Sequence, residues 1–473
     1  MSTWKTVFTL EWRILRRDRA AVGILGIFAV FLILSALAGG RHADALSDGL
    51  AASQAAEQAH LERLGDELST LISQGADPRA RDPRDPMWMG QEGAPRMAIL
   101  PPAPLAPLAV GQRDLQPQAI RVSSKVHLEG EFNSETSMSG PARLTTGAFD
   151  PAFLFVILFP LIVIALSYEL LSAERERGTL AMLLSQPISQ GALVLGKAGA
   201  RAVALCAVTL AFALVGLLVA GAPLGAPGAW LHVLLYGLVL VAWAIFWFSA
   251  AIFVNSRGGT SARNALTLVG MWLTLVIVVP GLVGVAVDLL YPPPSRLEQI
   301  HEAREDNRDL EQKRTALLGR HDVDPDMSKV AVELVEVEEE LAAREAPAHA
   351  AEQEHLQRRS ALIGALRFVT PALLVQLALE DLAGSGQTRH QRFDEQVDDY
   401  HQRLRAHHVA LIRAGATMTP KAMDATPTFH FQEEPLAGLL GRVLTGVLGL
   451  LLAAAALLAM ARAGLGRIGR LAS

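Results

Sequence analysis

The chain has 473 residues, a formal net charge of −5 and one cysteine, and apolar residues occupy 51% of its positions. Charged residues make up 19%, below the roughly one quarter of soluble domains, so the composition predicts a membrane protein with sizeable polar segments. The slightly acidic balance and the scattered basic residues exclude nucleic acid as an expected partner. Because Cys206 is the only cysteine, a disulfide framework within the chain is excluded.

The first 40 residues predict an amphipathic helix followed by a membrane span. Residues 1–19 mix apolar side chains with arginines, and Trp4 and Trp12 are placed to anchor such a helix at the headgroup layer. Residues 20–40 are apolar over about the length that crosses a bilayer. Residues 36–38 also fit a small-x-small cleavage site, so a cleaved signal peptide is the alternative to a retained span.

A polar segment at 41–150 follows the first span. Its leucines recur at near-helical spacing, which predicts that the first span continues outward as one long helix to about Gly75. The stretch 77–117 is rich in proline, which predicts extended chain laid over the surface of a domain. Residues 120–128 alternate enough to predict a strand.

Five further apolar segments bring the expected number of membrane spans to about six. They lie at 151–170, 198–220, 230–254, 264–290 and 436–461. Pro160, inside the second span of the chain (151–170), predicts a kink, which membrane helices tolerate where neighbouring groups satisfy the freed carbonyl. The expected fold is therefore a mainly α-helical membrane protein.

The second large polar segment, 291–435, predicts a helical hairpin. Charged helices are indicated at 297–318 and 330–341, and a break that contains proline separates them. Residues 362–382 are apolar enough to suggest a span, but their charged residues and Pro371 are costly inside a bilayer. We expect this stretch to be an amphipathic segment at the outer surface of the membrane or against the polar domain.

Basic residues set the expected orientation of the spans. They gather in the short segments 1–19, 171–197, 255–263 and 462–473, whereas the short loop at 221–229 has none. If both termini lie in the cytoplasm, all of these basic segments lie there too, as the enrichment of basic residues in cytoplasmic loops requires. Both large polar segments then lie together outside the cytoplasm, where we expect them to form one extracytoplasmic domain.

The loop between the second and third spans, residues 171–197, is here termed the charged loop. From Glu174 it reads E-R-E-R-G-T-L-A-M-L-L-S-Q-P-I-S-Q, and Lys197 opens the next span. Gly178 and Pro187 predict a charged turn followed by a short amphipathic helix along the membrane face. Such a surface suits docking against another protein, although an ordinary positively charged loop of any polytopic protein is the alternative interpretation.

This pattern and the order of the spans resemble type-2 ABC transporter permeases, a family that includes the permease serving nitrous-oxide-reductase copper maturation. The resemblance implies that residues 1–19 form a cytoplasmic elbow helix and that the protein lies in the bacterial inner membrane. It implies a dimer with an identical or related second permease, over two ATPase subunits. It also implies that the charged loop forms a coupling helix, which rests in a cleft of the ATPase.

The residues that this resemblance assigns to the ATPase contact fall into two groups. The charged residues are expected to make charged contacts, and the leucines are expected to fill the cleft. The residues are Glu174, Arg175, Glu176, Arg177, Gly178, Thr179, Leu180, Leu183 and Leu184.

The sequence contains no complete motif for nucleotide binding and few residues that could couple transport to an ion gradient. Residues 191–198 match most of a phosphate-binding P-loop, but Ala198 replaces the hydroxyl residue that ligates magnesium. We therefore expect no cofactor and no enzymatic activity in this chain, with ATP and Mg²⁺ bound by the partner ATPase. The spans contain almost no ionisable residues, which argues against a proton- or sodium-coupled carrier.

Four histidines cluster in sequence between residues 390 and 408. His401 and His408 are two helical turns apart, and nearby aspartates are able to complete a metal site. Histidines on a polar helix of a solvated domain are more often bystanders. Metal binding is therefore the weaker of the two interpretations.

The sequence predicts the transmembrane permease of an ABC exporter. Closure of the ATPases would push on the charged loop, tilt the spans and change access at the dimer interface. Two alternatives stay open. In the first, the same assembly is a mechanical lever that acts on a periplasmic partner, and in the second the chain is a membrane scaffold or sensor without an ATPase.

Overall fold

The computed structural model describes residues 3–75, 81–111, 116–126, 149–185, 189–292, 308, 312–313, 315–316 and 327–471. These residues are predominantly helical, and six of their helices are long and apolar enough to cross a membrane. In chain order these first to sixth spans are Arg19–Gln74, Pro151–Glu176, Gln190–Val219, Ala229–Asn255, Ser261–Leu290 and Leu436–Ala463. The predicted mainly α-helical class and the number of spans are confirmed.

Other elements precede and connect the spans. The helix Thr3–Arg17 precedes the first span, and Leu180–Leu184 lies in the charged loop. Between the fifth and sixth spans lie the long polar helix (Met327–Leu366), the inserted helix (Pro371–Ala383), the head helix (Gln387–Arg413) and the short helix Pro420–Asp424. Strands β1 (Arg96–Ile99) and β2 (Ala119–Val122) pair antiparallel.

Two spans contain a π-helical turn directly before a proline. The turn Leu154–Leu158 precedes Pro160 in the second span, and Leu273–Val278 precedes Pro280 in the fifth. Proline has no N–H to donate to the preceding turn, and a wider turn is one way to accommodate that missing bond. The distortion expected at Pro160 takes this form.

The fourth span lies at the centre of the bundle. The indole rings of Trp243 and Trp247 are fully buried and meet edge to face, 5.6 Å between centroids. The indole N–H of Trp243 donates a 2.9 Å hydrogen bond to the carbonyl of Phe155, a carbonyl within the π-helical turn of the second span. The loosened backbone of that turn is thus satisfied by a neighbouring helix, as a span requires in lipid.

The first span is one continuous helix of 56 residues that extends well beyond the apolar part of the bundle. Phe28 and Leu32 are buried among the spans, whereas Leu64 and Leu68 pack in a separate cluster with Met423. The helix ends at Gly75, whose φ of 58° lies in the left-handed region that favours glycine. A single rigid element therefore joins the membrane bundle to the polar part of the protein.

The two polar segments pack against each other at one end of the bundle, and their described residues outside the bundle, 41–75, 81–111, 116–126, 327–366 and 384–435, are termed the head. Ile120 of β2 packs with Phe393 and Tyr400 of the head helix. The Glu338 carboxylate accepts hydrogen bonds from Gln91 (2.8 Å) and from Arg405 (2.9 Å), so it joins three parts of the chain.

The helix indicated at 330–341 belongs to the long polar helix, and its apolar seam is buried or partly buried. The helix indicated at 297–318 lies largely outside the described residues, as does the far end of the strand indicated at 120–128. The hairpin between the two charged helices therefore stays a prediction.

The segment 362–382 does not lie flat on a surface. It is divided at Thr370, whose hydroxyl donates to the carbonyl of Leu275 in the fifth span (2.6 Å), and the inserted helix then packs among the spans. Its charged residues are not spread through the buried part. They lie at its ends, where Asp381 accepts a 2.9 Å hydrogen bond from Arg442 of the sixth span.

Candidate functional site

The charged loop lies at the end of the bundle opposite the head, here termed the loop end. It consists of the helical turn Ser172–Glu176, a bend at Gly178 and the helix Leu180–Leu184, and it leads to Ser189, which caps the third span. Gly178 has a φ of 72°, a conformation that costs other residues energy. The bend is closed by the amide of Thr179, which donates to the carbonyl of Glu174 (2.9 Å). The predicted turn and short helix are both present.

Three of the charged residues assigned to a partner contact hold the loop to the rest of the protein. Glu174 pairs with Lys197 at the start of the third span, and Arg175 donates to the carbonyl of Gly259. Glu176 accepts from the amide of Ser261 (2.6 Å) and from its hydroxyl (2.9 Å). The loop is therefore fixed to the beginnings of two spans.

Other side chains of the loop end remain open to a partner. Arg177 and Gly178 are exposed, and so is Met182, at 63% of its surface. Leu180 packs against the core of the bundle, and Leu183 is half-buried. The side chain of Leu184 lies outside the described part of the structure.

The positions of these residues around the helix explain why Met182 is exposed whereas Leu180 and Leu183 are partly buried. Successive residues of a helix are rotated by about 100°, so Leu180 and Leu183 share one face while Met182 points to the opposite side. The sequence prediction assigned Leu180, Leu183 and Leu184 to a partner contact and did not include Met182, the most exposed of the described apolar side chains of this helix. The apolar patch was visible in the sequence, but the face that meets the bundle was not.

Asn255, at the end of the fourth span, is a hub that sequence reasoning did not identify. It is fully buried, and its side-chain oxygen accepts from the amide of Leu171 (3.3 Å) and from the amide group of Asn264 (3.2 Å). Its nitrogen donates to the carbonyls of Ser167 (3.1 Å) and Ala251 (2.9 Å). One side chain thereby joins the root of the charged loop to the fourth and fifth spans.

The helix Thr3–Arg17 is tied to the same end of the bundle by a buried ion pair. Arg201 of the third span donates to the Glu11 carboxylate at 2.6 and 2.9 Å, and it also donates to the carbonyl of Leu166. Gly196 makes room for this helix, because a Cβ added there would lie 2.7 Å from Val7. The N-terminal helix, the second span and the third span therefore meet at one arginine.

The histidines singled out as weak metal candidates do not converge. His401 Nε2 lies 2.7 Å from the carbonyl of Lys125, and His408 is buried in the head, at 2% exposure. Within the described part of the chain, no group of three or more histidine, cysteine, aspartate or glutamate residues is arranged to hold a metal ion. The placement of these two histidines lends no support to a metal site.

We expect the head to lose stability as the pH falls from about 6.5 towards 4. Burial lowers the pKa of His408 to about 4, and the neighbouring His407 and Arg96 act in the same direction. Because the folded state favours the neutral ring, this contribution is complete above pH 6.5 and is lost as the pH falls through the folded pKa. The shift corresponds to about 3 kcal/mol.

Thermal unfolding of the detergent-solubilised protein between pH 7.5 and 4 measures this effect. His408→Leu should flatten the decline, whereas the exposed His430, replaced by leucine, should leave it unchanged. An equally steep decline in His408→Leu would assign the acid sensitivity to other groups, such as His390, whose pKa burial also lowers to about 4.

A family model described as ABC-2 family transporter protein matches residues 5–461. This stretch contains the first five spans, the charged loop, both polar segments and all but the last two residues of the sixth span. No curated protein and no solved structure matches the chain.

Proposed function

Because the chain belongs to the ABC-2 family of transporter proteins, it is a membrane permease component of an ABC transporter, and we propose that a separate ATPase drives it through the charged loop. In this proposal ATP and Mg²⁺ are bound by the ATPase. A second permease, identical or related, completes the assembly. The loop end faces the cytoplasm of a bacterium, and the head lies outside it, as the distribution of basic residues favours.

The observation that carries this proposal is the way the charged loop is fixed. Glu174, Arg175 and Glu176 bind the starts of the third and fifth spans, while Asn255 holds the loop's root to the fourth. A force applied to the loop would therefore reach several spans at once. A solvated loop without such contacts would absorb the same force by bending.

The surface left exposed on the loop suits an ATPase cleft. Arg177 offers a cation with little burial, and Met182 offers a flexible apolar side chain of the kind that fits varied binding surfaces. We assign the partner contact to these two residues, with Gly178 and Thr179 between them. Glu174, Arg175 and Glu176 transmit the force within the permease.

Arg177→Glu is expected to weaken ATPase association about tenfold or more, because it reverses a charge at the proposed contact. The test is purification from native membranes in mild detergent, with mass spectrometry of whatever protein accompanies the permease. An ABC ATPase should co-purify with the unaltered chain at equal stoichiometry. Arg17→Glu is the matched control, because Arg17 is exposed at the loop end but lies outside the charged loop.

Two results would contradict the proposal. An ATPase retained equally by Arg177→Glu would move the contact elsewhere on the loop end. A folded, unaltered chain that brings no ATPase would favour a membrane scaffold or sensor.

One feature favours a second output, mechanical transmission to a partner of the head. The first span continues unbroken for 56 residues, about 84 Å, and its far part packs into the head. Movement of the membrane half would therefore be passed directly to the head. Cross-linking the head to the bundle should stop a lever but leave substrate movement through the spans intact.

A further inference from the structure

The helix Thr3–Arg17 is buried on one side only. Val7, Glu11 and Leu15 recur at every fourth position and are buried against the bundle. Glu11 also holds this side of the helix to the third span through its ion pair with Arg201. The opposite side of the helix is exposed, so it can contact a partner outside the bundle.

Part of this exposed surface is apolar and adjoins the surface of the first span. Leu10 is 59% exposed and Ile14 is 52% exposed, one turn apart on the same flank of the helix. The first span begins after its capping residue Asp18, and Val22 and Ile27 are already 51% and 60% exposed. Exposed apolar side chains that continue from a surface helix into a membrane span are typical of a helix in the interface between lipid and water.

Four arginines lie beside this apolar flank and are termed the arginine cluster. They are Arg13, Arg16, Arg17 and Arg19, and all four are exposed. Arg16 and Arg17 lie three and four positions after Arg13, so both are its neighbours on the helix surface. Arg19 opens the first span, one turn before the exposed Val22. The cluster therefore lies at the level where the apolar, exposed surface of the first span begins.

No acidic group within the described residues neutralises the arginine cluster. None of its four guanidinium groups makes a hydrogen bond or an ion pair there. Of the two acidic residues between positions 3 and 20, Glu11 pairs with Arg201. The other, Asp18, accepts hydrogen bonds from the first amides of the first span, at 2.9 and 3.4 Å. Like charges three and four residues apart repel each other, so an anionic partner would relieve an unfavourable arrangement.

We propose that the arginine cluster binds the phosphate groups of anionic phospholipids, while Leu10 and Ile14 lie near the headgroup ends of their acyl chains. The planar guanidinium matches phosphate with two parallel hydrogen bonds. Long basic side chains at the end of a span reach the headgroups while their stems stay in the apolar layer. Because the apolar flank continues into the surface of the first span, lipid is favoured over a soluble protein as the partner. The site does not involve the charged loop, so the failure of either proposal leaves the other standing.

The first test is the choice between two lipids that differ in charge. Native mass spectrometry of the detergent-purified chain, offered equal amounts of phosphatidylglycerol and phosphatidylcholine with the same acyl chains, should show a preference for phosphatidylglycerol. Each basic residue near an anionic membrane surface strengthens binding about fivefold. The triple variant Arg13→Gln, Arg16→Gln and Arg17→Gln should therefore lower the preference about tenfold or more. The same three positions replaced by lysine should keep most of it, because the charge remains.

The control replaces three exposed arginines of the head. It is Arg358→Gln, Arg403→Gln and Arg413→Gln, whose side chains are 62%, 58% and 51% exposed. This variant loses the same charge and should keep the preference for phosphatidylglycerol. An unchanged preference in the cluster variant would overturn the proposal, and so would an equal loss in the control. If the cluster variant kept its lipid preference but lost a co-purifying ATPase, the arginines would belong to the ATPase contact instead.

The second test uses the unaltered chain and does not depend on how a variant folds. In nanodiscs, amide hydrogen exchange of residues 3–17 should be slower with phosphatidylglycerol than with phosphatidylcholine, because bound headgroups hold this helix in place. Exchange in the head helix (Gln387–Arg413) should not differ between the two lipids. Equal exchange of residues 3–17 in both lipids would contradict a site for anionic headgroups on this helix.

Discussion

Replacing Arg201 with methionine is expected to destabilise the protein by about 3 to 5 kcal/mol, because it leaves a buried carboxylate without its partner. Glu11 is 6% exposed, and Arg201 donates to it at 2.6 and 2.9 Å. The same arginine also serves the carbonyl of Leu166, so its removal loosens both the N-terminal helix and the second span. Denaturant-induced unfolding in mixed micelles, followed by tryptophan fluorescence, measures the loss.

The double variant Glu11→Leu with Arg201→Met separates the ion pair from general loss of packing. Removing both charges abolishes the uncompensated carboxylate, so most of the lost stability should return. The part that does not return is assigned to the carbonyl of Leu166. If the double variant is no more stable than Arg201→Met, the damage comes from packing, and the carboxylate is not its cause.

Asn255→Leu is expected to cost about 3 kcal/mol and to loosen the root of the charged loop. Leucine has similar volume but leaves the amide of Leu171 and the carbonyl of Ser167 buried without partners, and each such group costs about 1 to 3 kcal/mol. The amide group of Asn264 loses its acceptor as well. The same unfolding experiment gives the free energy.

The neighbouring residue provides a matched control. Ser256 is 2% exposed, but among the residues that the structure describes its hydroxyl bonds only to the carbonyl of Phe253 within its own helical turn (2.7 Å). Ser256→Ala should therefore cost at most about 1 kcal/mol. A similar small effect in Asn255→Leu would mean that the hub is replaceable by water or by local rearrangement.

The membrane architecture was readable from the sequence because long apolar segments have few folding options in lipid. The continuation of the first span was also readable, since leucine spacing persists after the polarity changes. The inserted helix was harder to predict. The charges of the segment 362–382 were counted against burial, but the fold places Arg367 before the inserted helix and Asp381 near the end of that helix, and it buries the apolar middle.

The candidate site was only partly predictable, because local sequence does not show which face of a short helix meets the bundle. Arg175 and Arg177 look equivalent in sequence, yet Arg175 donates to the carbonyl of Gly259 while Arg177 is exposed. The pair of Glu11 with Arg201 joins residues 190 positions apart, which no local pattern records. Asn255 gives no signal either, since a lone asparagine at a helix end is common.

The unbroken first span also fixes a rotational phase between the two halves of the protein. Phe28 and Leu32 face the bundle, and Leu64 and Leu68 face the head, on one continuous helix without a loop to adjust their relative direction. One residue inserted between them would turn the far half by about 100° and direct its buried leucines towards solvent. The length of this helix is therefore constrained residue by residue.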